Sequence, residues 1–148
     1  VHVAAAAPRV HRRPFPDPER AMTAPPVAVQ SFVPYVHVLD VARAIAFYAH
    51  LGFRVANEFR PEPGGALAWA SLVTDGGTRL MLARGSGTID APMQAVMFYA
   101  YVADVAAVRA AFAAAGLPAG PLQHPWYAPA GEFRSEDPDG YVVMVMQG

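Results

Sequence analysis

The side chains able to do chemistry in this sequence are sparse and unevenly placed. There is no cysteine, and all 11 basic residues are arginine. Thiolate nucleophiles, disulfides, Cys-ligated zinc and Schiff-base lysines are therefore excluded. What remains is His37 in a β-like run, Arg79 beside a turn, several tyrosines and methionines, and the loop His124-Pro125-Trp126-Tyr127-Ala128-Pro129. His37 could act as a general base if a partner oriented its ring, or stand as a hydrogen-bonded structural residue. Arg79 could clamp a carboxylate or phosphate through its planar fork, or pair with Asp75 in solvent. Trp126 and Tyr127, set between prolines, form a stiff flap able to stack on a planar ligand; a cover over the chain's own core and a dimer contact are the alternatives. Trp69 is a second stacking surface of unfixed parity. Glu132, Arg134 and Glu136 alternate along one run and read as a solvated charged ladder, from which Arg134 could reach the cavity rim.

Other chemistries find no support. Gly85-Ser86-Gly87 has no helix after it, so it is not a phosphate loop. No serine stands in a nucleophile-elbow context. The carboxylates Asp137 and Asp139 fall in a turn, where they cap and tighten backbone.

These residues must be positioned by short, regular elements. Residues 33–39 alternate as a half-buried strand does. Asp40 is placed to cap a helix over 41–50, and Gly52 to end it in a left-handed conformation. The same unit returns: Val38, Asp40 and Gly52 map onto Val102, Asp104 and Gly116, each 64 residues later. A repeat at this period constrains every later assignment. The first module reads as strands at 32–39, 53–60, 66–74 and 78–84 with a helix at 41–50. The second reads as strands at 94–102, near Pro121, at 131–136 and at 141–147 with a helix at 104–115. Each is βαβββ, and two side by side give an α+β architecture: a curved mixed sheet around a cavity, helices outside.

Composition bounds the rest. The chain has 148 residues, 54% of them hydrophobic, and a formal net charge of −1. That supplies a core but no electrostatic case for nucleic acid, and no apolar run long enough to cross a bilayer. The absence of cysteine fits a reducing, cytoplasmic setting. Residues 1–26 are rich in Pro, Ala and Arg without periodicity and read as a disordered tail, with a natural start expected at Met22. Residues 27–148 form the single domain, with modules at about 31–84 and 94–147.

The repeated unit resembles the vicinal oxygen chelate superfamily, which includes glyoxalase I, extradiol dioxygenases and the fosfomycin- and bleomycin-resistance proteins. The residues that carry the resemblance are Val38-Leu39-Asp40, Ala46-Phe47-Tyr48, Leu51-Gly52-Phe53 and Asp137-Pro138-Asp139-Gly140-Tyr141. The match spans roughly residues 31–147. The resemblance places the family's metal ligands at Val33, Met81, Met97 and Met144, none of which offers imidazole nitrogen or carboxylate oxygen. It therefore implies the family's fold without its chelate, and so no metal and no cofactor. The nearest pattern is the bleomycin-resistance branch, which binds its drug across a dimer interface without chemistry and often carries Trp in the loop occupied here by Trp126.

Strand parity then names a lining. Val33 brings Tyr35 and His37; Met97 brings Tyr99 and Tyr101; Met81 brings Arg79; Met144 brings Val142 and Met146. Such a stripe is either packing or recognition. The reading is a metal-independent, non-enzymatic binder of a hydrophobic or aromatic small molecule. Its ligand residues would be Tyr35, His37, Arg79, Met81, Met97, Tyr99, Tyr101, Trp126, Tyr127 and Met144. The alternative is a lyase or isomerase of glyoxalase or dioxygenase type, with an atypical metal site or with His37 as general base. A homodimer is expected on either reading, with no nucleic-acid or membrane partner.

Overall fold

The computed structural model describes residues 29–148; the tail expected at 1–26 and the start expected at Met22 lie outside them. Val33–Gly148 is one compact unit. Its elements are β1 (Tyr35–Val38), α1 (Val41–Ala49), β2 (Arg54–Phe59), β3 (Trp69–Val73), β4 (Arg79–Arg84), a 3-10 turn (Ala91–Met93), β5 (Met97–Val102), α2 (Val105–Ala114), β6 (Glu132–Glu136) and β7 (Val142–Gln147).

Both helices start and stop on the repeated signals. The Asp40 carboxylate accepts from the Ala42 and Arg43 amides at 2.9 and 3.1 Å, and the Asp104 carboxylate accepts from the Ala107 amide at 2.8 Å. These satisfy amides that a helix N-terminus leaves unpaired. At the other ends Gly52 and Gly116 take φ of 81° and 70°, and the next amide returns to Tyr48 and Phe112 respectively.

The strands form two mixed sheets. In the first the order is β1-β4-β3-β2, with β1 parallel to β4 and the other pairs antiparallel. In the second the order is β5-β7-β6, with β5 parallel to β7. The fourth strand expected near Pro121 does not form. Only the bridge between Gln123 and Glu132, and a bond from the Gly120 amide to the Arg134 carbonyl, mark its track. Pro118 and Pro121 have no N–H to give to a ladder, so pairing cannot run through this segment.

Each sheet has a helix-covered face and an open one. Val36 and Val38, Leu80 and Leu82, and Ala70 and Leu72 turn inward and are buried with Val41, Ala44, Phe47 and Tyr48 of α1. Phe133, Val143 and Val145 do the same in the second module with Val105 and Phe112 of α2. The modules meet through this covered side. The Phe47 and Phe112 rings pack edge to face at 5.7 Å, and Phe112 packs likewise on Phe133 at 5.6 Å. One core thus runs through both modules, and burial of these apolar faces is what holds them together.

The Asp137-Pro138-Asp139-Gly140 turn locks that junction. Asp137 Oδ1 accepts from the amides of Asp139 and Tyr141, both at 2.9 Å, and its Oδ2 accepts from the Tyr48 hydroxyl at 3.1 Å. Asp139 accepts from the Leu39 amide at 2.9 Å, and the Tyr141 hydroxyl donates to the His37 carbonyl at 3.1 Å. The turn therefore tightens its own backbone, as expected, and also holds β1 and α1. Gly140 has φ of 82°, and a Cβ there would stand 2.3 Å from the Ala91 Cβ. Only glycine meets both demands.

Candidate functional site

The open faces follow from strand register. On the first sheet Tyr35 lies opposite Met81 and His37 opposite Ala83. Trp69 also lies opposite Ala83, and Phe59 opposite Trp69, which fixes Trp69 on the open face. Tyr35 and His37 rings stand edge to face at 5.5 Å. Arg79 opens β4 opposite Val73 and is exposed. The Asp75 carboxylate is met instead by Arg54 at 3.4 Å.

On the second sheet the register builds three rows across β5, β7 and β6: Tyr101-Met146-Glu132, Tyr99-Met144-Arg134 and Met97-Val142-Glu136. Aromatic and thioether groups thus occupy one edge and centre, and charged groups the other edge. Tyr101 is 68% exposed, and Met97 and Tyr99 are open to a similar degree. A large apolar surface left this open in a folded chain marks a face meant to be covered.

An open cleft of about 600 Å³ lies along the charged edge, its lining including Pro118, Gly120, Pro121, Tyr127, Glu132 and Met144. Of the residues expected to line a cavity, this cleft brings together Tyr127 and Met144. Met97, Tyr99 and Tyr101 stand on the same sheet, and Tyr35, His37, Arg79 and Met81 on the other. The division follows from the packing: the modules join through their helix-covered sides, so each open face is left to itself.

The aromatic loop, which contributes Tyr127 to the cleft, is stapled in place. The Ala128 amide donates to the Pro125 carbonyl at 2.9 Å, and the Gly131 amide to the Ala128 carbonyl at 3.0 Å. His124 Nδ1 lies 3.0 Å from the Pro129 carbonyl oxygen. Trp126 projects into solvent, 91% exposed, with its ring edge-on to Tyr127 at 5.7 Å.

Tyr127 reaches back, and its hydroxyl donates to Glu132 Oε1 at 2.8 Å. That bond to a carboxylate raises the phenol's pKa, because ionising it would set two anions together. Sequence reasoning missed this contact. Glu132 is not part of a solvated ladder: it is 2% exposed, while Arg134 and Glu136 pair with each other nearer solvent. The difference arises because Gln123 pairs with Glu132 through both backbone bonds and the Tyr127 loop folds over it. The spacing of five residues between Tyr127 and Glu132 was the available signal, but a loop of unknown path hid it.

A divalent ion does not fit the family's ligand positions here. Val33, Met81, Met97 and Met144 present no hard donor, and among the described residues no group of three or more His, Cys, Asp or Glu converges. Among the described residues, no helix is long and apolar enough to cross a membrane.

The sequence profile of the Glyoxalase/Bleomycin resistance protein/Dioxygenase superfamily matches residues 30–145. This chain belongs to that superfamily. Its fold is similar to that of a bleomycin resistance determinant encoded on the transposon Tn5, at TM-score 0.63 and 18% identity over 81% of this chain and 98% of that one. It is also similar to a bleomycin-binding protein from bleomycin-producing Streptomyces verticillus complexed with copper(II)-bleomycin, at TM-score 0.58 and 22% identity over 82% and 98%. A third similar structure is the fosfomycin resistance protein FosX from Listeria monocytogenes, at TM-score 0.62 and 11% identity over 82% and 95%. At these identities the likeness concerns the fold alone. No curated protein sequence matches the chain.

Proposed function

We propose that this protein binds a hydrophobic or aromatic small molecule, without a metal, at the open face of its second module, and that a second copy of the chain completes the cavity. The observation that carries the reading is the uncovered set Met97, Tyr99 and Tyr101, on the sheet face whose Met144 lines a cleft together with Tyr127, the neighbour of the exposed Trp126. Mostly apolar concave sites with few orienting groups are what small-molecule pockets look like. The resemblance to bleomycin-binding proteins supports the same class of ligand. The open face of the first module, with Tyr35, His37, Arg79 and Met81, is the surface a partner subunit would bring against it. Members of one superfamily differ in chemistry, and the thioether-lined ligand positions favour binding over turnover.

Native mass spectrometry of the freshly purified chain, compared with its denatured mass, tests this directly. The expected result is a metal-free dimer whose mass shifts on adding planar aromatic compounds, with the shift lost in Trp126→Ala. A monomer indifferent to every aromatic compound, or a dimer with one divalent ion per subunit, would sink the reading.

A further inference from the structure

One group on the proposed ligand face is left without a partner. Glu132 Oε1 is held by the Tyr127 hydroxyl, but Oε2 is buried and meets no donor among the described residues. Folded chains rarely tolerate a buried carboxylate oxygen with nothing to accept from. Among the described residues no ion pair supplies a cation either, since Arg134, next along the same strand face, is engaged by Glu136. The charged side chains lining the cleft are Glu132, Arg134 and Glu136, so one carboxylate remains in excess. Glu132 also sits in a built position. Gly131, at φ of 116° and packed against His124, Leu122 and Val105, turns the chain into β6. Met146 lies across from Glu132, and the Tyr127 phenol fixes one carboxylate oxygen, while the other is buried without a donor among the described residues.

We propose that the Glu132 carboxylate anchors a cationic nitrogen, as an ammonium, guanidinium or amidinium, of the aromatic ligand bound in this cleft. The inference rests on the binding reading above and adds to it the charge of the ligand. The cation supplies the donor Oε2 lacks and neutralises the excess charge, while the ligand's apolar body lies across Met144 and Tyr99 toward the Trp126 loop. A charge-assisted bond in a partly dehydrated cleft discriminates strongly against a neutral analogue. A lone carboxylate with a phenol is too small a donor set for a divalent ion.

The test compares two probes of one shape, 2-naphthylmethylammonium and 2-naphthylmethanol, titrated into the full chain at low salt and followed by tryptophan fluorescence and calorimetry. The wild type is expected to prefer the ammonium by roughly tenfold or more. Glu132→Gln, which keeps shape and the acceptor for Tyr127, is expected to bring the two affinities within about twofold. Glu62→Gln, which removes an exposed carboxylate on the loop between β2 and β3, outside the cleft, is expected to leave the preference standing. Equal binding of both probes by the wild type overturns this inference alone, and does so even if Glu132→Gln fails to fold. Equal loss of preference in both variants overturns it too, because the cause is then the net charge of the protein and not the Glu132 carboxylate. Binding of neither probe overturns both this inference and the reading beneath it.

Discussion

Asp137 and Glu132 are buried carboxylates on the same module, five residues apart, and they are treated in opposite ways. Asp137 has a donor for every direction: two amides of its own turn on one oxygen and the Tyr48 hydroxyl on the other. Among the described residues Glu132 has one donor, and its second oxygen has none. A saturated buried acid holds structure together, because removing it strands its donors. An unsaturated one is a site waiting for a donor from outside. The contrast separates a clamp from a recognition group without reference to any relative.

The largest effect is expected on the clamp side. Asp137→Ala strands two amides and a buried phenol at the junction of the modules, and should cost about 3–5 kcal/mol of unfolding free energy in denaturant titration. Gly140→Ala comes next, at about 2–3 kcal/mol, since the residue must both take positive φ and displace Ala91. The third prediction concerns pH. Burial raises the Asp137 pKa above its ordinary value, against the lowering effect of its amide and Tyr48 bonds. The native state therefore holds this proton to higher pH than the unfolded state does. On this group alone, stability is greatest below the unfolded carboxyl pKa, falls as pH rises toward the raised native value, and is level above it. Asp137→Asn should remove that fall, seen as a flatter profile of unfolding midpoint against pH across the acidic window. The smallest effect belongs to Glu132→Gln, which should leave stability unchanged or raise it by up to about 1 kcal/mol, because it leaves the Tyr127 acceptor in place and removes an unpaired buried charge. A loss as large as that of Asp137→Ala would erase the distinction between the two acids.

The repeat, both helices and most strands were legible because their signals are contiguous. Asp40 and Asp104 cap amides two or three residues away, and Gly52 and Gly116 end helices at the position where left-handed backbone is needed. The alternation that put Tyr99, Tyr101 and Met144 on one face is likewise a property of neighbouring residues. The missing strand near Pro121 shows the limit of the repeat as a guide: symmetry asked for a strand, and two prolines withheld the donors. Parity placed the candidate lining on the open faces, but could not tell which of its members share a cleft.

Local order is written along the chain: where helices start and stop, which strand residues share a side, and that two such units follow one another. Tertiary structure alone decided that the units meet through Phe47 and Phe112, that Asp137 and Asp139 reach Tyr48 and Leu39 across 89 and 100 residues, and that Glu132 is buried while Arg134 is not. The physical reason is range. A cap or a turn is satisfied within a few residues of itself, whereas the burial of a charge and the identity of its donor depend on which distant segment folds over it.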